Sequence, residues 1–127
     1  MLKGKSLVFI ALLILMSGCA REPVVIECRL NRLQESFVYQ IEDVEACQSY
    51  YDELKAIKFN TIYTNTTITL PTQLAFTFKL NTGVVRMYML HKEGVITYYD
   101  GDRLKQGDLE LDIYAKYNQM LDDSKTE

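Results

Sequence analysis

Between residues 60 and 99 the apolar side chains recur at every second position, and that period commits the segment to a β-sheet. Ile62, Thr64, Thr66, Ile68 and Leu70 alternate with Tyr63, Asn65, Thr67 and Thr69; after Pro71, Leu74, Phe76, Phe78 and Leu80 alternate with Thr77 and Lys79. Successive side chains of a strand point to opposite faces, so the pattern gathers the apolar set on one of them. Asn81-Thr82-Gly83 is a short hairpin loop in which Gly83 can take a positive φ. Residues 84–91 form the next strand, Lys92-Glu93-Gly94 turns it into residues 95–99, and Asp100-Gly101 marks a further turn. The expectation is an antiparallel meander with one apolar face and one bearing Thr, Lys and Arg, as when helices cover a single side.

Upstream the signals are shorter. Residues 24–30 are rich in β-branched side chains and read as a strand, and residues 36–41 read as a second with Phe37, Tyr39 and Ile41 on one face. Asp43 is placed to cap a helix, with Glu45 in its first turn. Val44, Cys47, Tyr51, Leu54 and Lys58 follow at helical spacing with Ile57 beside them, so an amphipathic helix is expected over 43–58. The last segment reads two ways: Leu109, Leu111, Ile113 and Ala115 alternate like a strand, whereas Leu109, Ile113, Tyr117, Met120 and Leu121 share a helical face. Its length from 108 to 122, with Asp108 as the cap after Gly107, favours a helix, with a frayed tail over 122–127. The fold class is therefore α+β: a meander of four to five strands packed against one or two helices, in one domain spanning 24–127.

The first residues belong to another kind of element. Lys3 and Lys5 precede an unbroken apolar run over 7–16, and Ser17 and Gly18 lead to Cys19. The run is too short to span a bilayer comfortably. Leu15-Met16-Ser17-Gly18-Cys19 resembles the signal peptide and lipobox of bacterial lipoproteins, with Met16 a less common choice at its position. That resemblance implies that residues 1–18 are a cleaved signal peptide. It implies that Cys19 carries a diacylglycerol on sulfur and an N-acyl chain such as palmitate, and that the protein is held at a membrane of the cell envelope. Ala20, where an Asp would favour the inner membrane, points to the periplasmic face of the outer membrane if the source is Gram-negative. Residues 19–23 would be the lipidated cysteine and a short tether. The four residues after Cys19 reach only about 13 Å when extended, which holds the domain close to the bilayer.

Loss of the leader removes Lys3 and Lys5, so the formal charge moves from −3 to −5. An acidic domain argues against nucleic acid as a partner; the membrane contact runs through the lipid. With Cys19 acylated, Cys28 and Cys47 remain as an even pair in an oxidising compartment, and a disulfide between them is expected. Such a bridge closes a loop worth about 3 kcal/mol in the chain-entropy account.

Residues that could carry catalysis are scarce. His91 is the single histidine and, at a strand end before a turn, is expected at the surface. Asp100, Asp102 and Asp108 lack calcium-loop spacing and read as solvated turn residues. There is no nucleophile elbow and no phosphate-binding glycine loop. No catalytic residue, metal ligand or cofactor other than the covalent lipid on Cys19 is assigned.

Tyrosine is the one enrichment: nine residues, all after Cys19, and no tryptophan. Packing accounts for most such residues, but adjacent pairs force one ring outward on a strand. Tyr50, Arg86, Tyr88, Tyr98 and Tyr99 are the expected contact patch. The functional expectation is a non-enzymatic, membrane-anchored interaction module that binds another envelope protein, as an accessory, pilot or exclusion lipoprotein would. The alternative is a ligand-binding lipoprotein with a tyrosine-lined pocket. A small envelope enzyme would require a residue with a displaced pKa in a cleft.

Overall fold

The structure, a computed structural model, describes residues 23–62 and 72–126. The leader, Cys19, Ala20 and the alternating run over 63–70 lie outside the described residues. Among the described residues the chain order is β1 (Val25–Asn31), β2 (Val38–Ile41), α1 (Val44–Lys55), β3 (Phe59–Ile62), β4 (Thr72–Leu80), β5 (Val85–His91), β6 (Val95–Asp100), β7 (Arg103–Asp108) and α2 (Leu111–Ser124). All seven strands join one antiparallel sheet in the order β2-β1-β4-β5-β6-β7-β3. The α+β class is as expected.

The meander is β4 to β7. Its three turns place Gly83, Gly94 and Gly101 at φ of 89°, 91° and 65°, where side chains are disfavoured. Two features depart from the sequence reading. The sheet has more strands than four or five, because residues 103–108 add one of mixed polarity that the apolar pattern did not reveal. The strand after the first helix pairs with β7 at the far edge, Phe59 opposite Gly107 and Ile62 opposite Leu104, instead of beginning the meander. Backbone ladder and the burial of Phe59 set that placement: its ring lies 4.8 Å from Tyr98 and 6.0 Å from Tyr88.

Both helices pack on one face. Cys28, Phe78 and Arg86 are register partners across β1, β4 and β5, as are Leu30, Phe76 and Tyr88, so this face carries the large apolar side chains. From α1, Cys47, Tyr51 and Leu54 descend onto it; from α2, Tyr117 and Leu121 do the same. Phe76 and Phe78 stack at 4.6 Å, with Tyr117 edge-on to Phe76 at 5.0 Å and Tyr51 at 5.3 Å from Phe78. Each aromatic contact of this kind adds about 0.5–1.5 kcal/mol beyond burial. Cys28 and Cys47 form the expected disulfide, with Cα atoms 5.7 Å apart, and it pins α1 to β1.

Asp43 caps α1 as expected, its Oδ1 accepting from the N–H groups of Glu45 and Ala46 at 3.1 and 3.2 Å. The helix stops at Lys55, short of 58, because the chain must turn at Ile57 to deliver Phe59 to the sheet. At the C-terminus, α2 begins at Leu111, not 108. Asp108 closes β7 opposite Val95, and Glu110 occupies the cap position without a side-chain hydrogen bond. The helix runs on to Ser124, where a frayed tail was expected. Arg32 binds Asp122 and Asn118, each at 2.7 Å, and Lys125 pairs with Glu35, so the loop after β1 holds the end of α2.

Candidate functional site: the helix-free face of the sheet

The five residues expected to form a contact patch are not brought together. Tyr88 is 1% exposed, ringed by Tyr51, Phe59, Phe78 and Tyr98, and burial pushes its hydroxyl up to about 12. This corrects its assignment to the surface: it lies in phase with Leu90 on the covered face. Tyr50 is half-buried between Phe76 at 5.7 Å and Tyr117 at 5.5 Å. Tyr98 is half-buried on the same face, and the Arg86 guanidinium carbon sits 4.4 Å from its ring centroid. Arg86 is thus engaged in a cation–π contact and flanks the core. Only Tyr99 emerges, on the opposite face and 59% exposed, as strand alternation requires of one member of the pair. Cys28 and Cys47 are joined in the disulfide, and Cys19 lies outside the described residues.

His91, expected at the surface, is buried. It alternates with Leu90 and so belongs to the helix-free side, where its Nε2 lies 3.1 Å from Thr97 Oγ1. Asp100 and Asp102 flank one turn while Asp108 ends the other side of the β6–β7 ladder, so the three carboxylates do not converge. Among the described residues no group of three or more His, Cys, Asp or Glu could hold a metal ion. No described helix is long and apolar enough to cross a membrane.

The helices themselves are linked by a polar cluster. Lys116 Nζ donates to both Glu53 carboxylate oxygens at 2.7 and 2.8 Å, and the Tyr117 hydroxyl donates to the same carboxylate. Partial burial pushes the Glu53 carboxyl up, but the hydrogen bonds from Lys116 and Tyr117 and the Lys116 charge outweigh it and hold the carboxyl below its ordinary value. Burial first, and then the bond to Glu53, push Tyr117 upward. A buried phenol and a paired carboxylate tie the two helices together here.

The surface that stands out is the sheet face on which neither of the described helices packs. Register places Arg29, Thr77 and Met87 in one transverse row, and Asn31, Ala75, Met89, Thr97, Gln106 and Asn60 in the next. Small, buried Ala75, Thr77 and Thr97 make the centre low in relief, while Met87 at 42% and Tyr99 stand out from it. A hollow of about 230 Å³ at its β1–β5 end is lined by Glu27, Arg29, Thr77, Lys79 and Val85 among others. That is smaller than a usual small-molecule site. A second hollow, between β2 and the start of α1, includes Tyr39 and Tyr50 with polar Gln40, Glu42 and Asp43. Met87 was missed from sequence. Its signal was the run Val85, Met87, Met89 at the outward positions of β5, where a solvated face would carry polar residues.

No known protein family matches the chain, and no curated protein or solved structure is similar to it.

Proposed function

We propose that this chain is a lipid-anchored, non-enzymatic interaction module of the cell envelope, held at the membrane through acylated Cys19 and binding an envelope protein through the helix-free face of its sheet. The observation that carries this reading is the exposure of Met87 and Tyr99 on a low-relief face that no described element covers. Methionine and tyrosine are enriched in protein interfaces, Met for its adaptable shape and Tyr for large contact area at low entropic cost. The Cys28–Cys47 bond is in keeping with an oxidising compartment, as the lipobox resemblance implies. The accessory, pilot or exclusion type of lipoprotein fits a small domain of this kind. The ligand-binding alternative draws less support. The sheet is open, its interior is filled by Phe76, Phe78 and Tyr88, and the Tyr50 ring is already engaged by the core.

The test uses the full chain expressed with its leader in bacterial membranes. Intact mass should show loss of residues 1–18 and gain of acyl chains. An envelope protein that co-purifies with wild type after in-cell crosslinking should be lost from Met87→Lys and Tyr99→Lys, and retained by Leu111→Lys, which alters an exposed apolar residue at the start of α2. Equal recovery from all three variants would remove this face as the interface. An unprocessed, unacylated mass would remove the anchor.

A further inference from the structure

At one end of the sheet, aliphatic side chains crowd around a hairpin tip that ought to be polar. The β4–β5 turn, residues 80–85, carries no charge, and both Val84 and Val85 are exposed. The start of β1 lies directly beside it. Val25 is the register partner of Leu80, the Asn81 N–H donates to the Val24 carbonyl at 2.8 Å, and the Val24 N–H donates to Asn81 Oδ1 at 3.1 Å. Val24 and Ile26 are exposed as well, Ile26 because the ladder slips between Val25 and Glu27 and leaves it unpaired. Four exposed aliphatic residues from two separate stretches thus share one end of the domain. It is also the end at which the chain enters from Cys19, at most about 18 Å of extended chain from Val24.

We infer that this end, formed by Val24, Ile26, Val84 and Val85, is a membrane-contact surface that rests in the interfacial region of the bilayer holding the Cys19 lipid. The inference rests on the lipid-anchored reading above, since the anchor is what brings this end to the membrane. The physical case is twofold. Burying four aliphatic side chains in the headgroup–acyl boundary removes apolar area from water, and the anchor has already met the entropic cost of bringing the domain there. Glu27 and Lys79 stand opposite each other in register on adjacent strands, so opposite charges face one another at that position. Contact here would set the sheet upright on the membrane. The β5–β6 turn, about 20 Å away along β5, would then point away from it.

The absence of tryptophan makes the test direct, because one introduced indole reports alone. Val84→Trp and, at the opposite turn, Glu93→Trp are made in the full chain, purified from membranes and reconstituted into phosphatidylethanolamine–phosphatidylglycerol vesicles with and without brominated acyl chains. Intact mass is measured on the same samples. The expected result is blue-shifted emission and quenching by bromolipid for Val84→Trp, with neither for Glu93→Trp. If Val84→Trp does not fold, Thr82→Trp at the exposed tip of the same turn gives the same readout. Absence of shift and quenching in protein that carries its acyl chains would overturn the membrane contact and leave the anchor standing, as would equal quenching at both ends. In protein without acyl chains the anchor reading falls, and quenching at residue 84 still decides whether this end meets lipid.

Discussion

A Cβ placed on Gly107 would stand 2.7 Å from the backbone carbonyl oxygen of Lys58. Ile57 and Phe59 crowd the same point at 3.0 and 3.2 Å. Gly107 is thus the position at which β7 accepts the chain leaving α1, and the approach is to backbone, which cannot swing aside. Gly107→Ala is expected to destabilise by about 1–3 kcal/mol, the usual cost of overpacking. Urea denaturation followed by far-UV circular dichroism checks it; a midpoint equal to wild type would show that β3 can move away at no cost.

Replacing Cys28 or Cys47 by Ser should lower stability by about 2–5 kcal/mol, and reducing the wild type should do the same. The measurement is chemical denaturation with and without reductant. Matching curves for variant and oxidised wild type would mean that the bond between β1 and α1 adds nothing to the packing of Leu54 and Tyr51 around it.

The Glu53 cluster predicts an acid dependence. Its carboxyl is held below the ordinary value near 4.5 when folded, so the unfolded chain binds the proton more readily. The stabilisation is present above the unfolded value and is lost as pH falls through the folded one. The stability gap between wild type and Glu53→Gln should therefore close on acidification. Tyr117→Phe, which removes one donor to the carboxylate, should cost about 1–3 kcal/mol at neutral pH. A gap between wild type and Glu53→Gln that is independent of pH would refute the pairing.

Alkaline titration addresses the buried phenols. Burial raises Tyr88 to about 12 and raises Tyr117 further still, while an unfolded tyrosine ionises near 10. Both groups keep their proton longer when folded, so their stabilisation is complete below about 10 and is lost as pH climbs towards the folded values. Absorbance at 295 nm should show a late component from Tyr88 and Tyr117, coincident with loss of tertiary structure. In Tyr88→Phe the late component should shrink. A titration with no late component would contradict the burial of Tyr88 and Tyr117.

Much of the framework could be read locally. The N-cap of α1, the hairpin turns and the in-phase core residues Leu74, Phe76 and Phe78 depend on neighbours a few positions away, and each fell where the pattern placed it, whereas α1 ended at Lys55, short of 58. Failures came where the deciding neighbour was distant in sequence. Arg103 to Asp108 has Leu104 as its one large aliphatic residue, yet it is an interior strand because β6 and β3 flank it. Asp108 looks like a helix cap but pairs with Val95. His91 looks like a turn residue, yet it is buried with its Nε2 3.1 Å from Thr97 Oγ1.

The contact patch fell apart for the same reason. Tyr50, Tyr88, Tyr98 and Arg86 look available as side chains, and only the packing of α1, α2 and β3 onto one face shows them occupied. The sequence by itself determined the α+β class, the meander with its glycine turns, the cysteine pair and that one of Tyr98 and Tyr99 must turn outward, because these follow from the period of the chain and from covalent geometry. The tertiary structure alone decided that β3 crosses to the far edge, that the helices share one face, and that Val24 and Val84 meet at one end. Those outcomes depend on which surfaces bury against each other, a choice made by contacts between residues tens of positions apart.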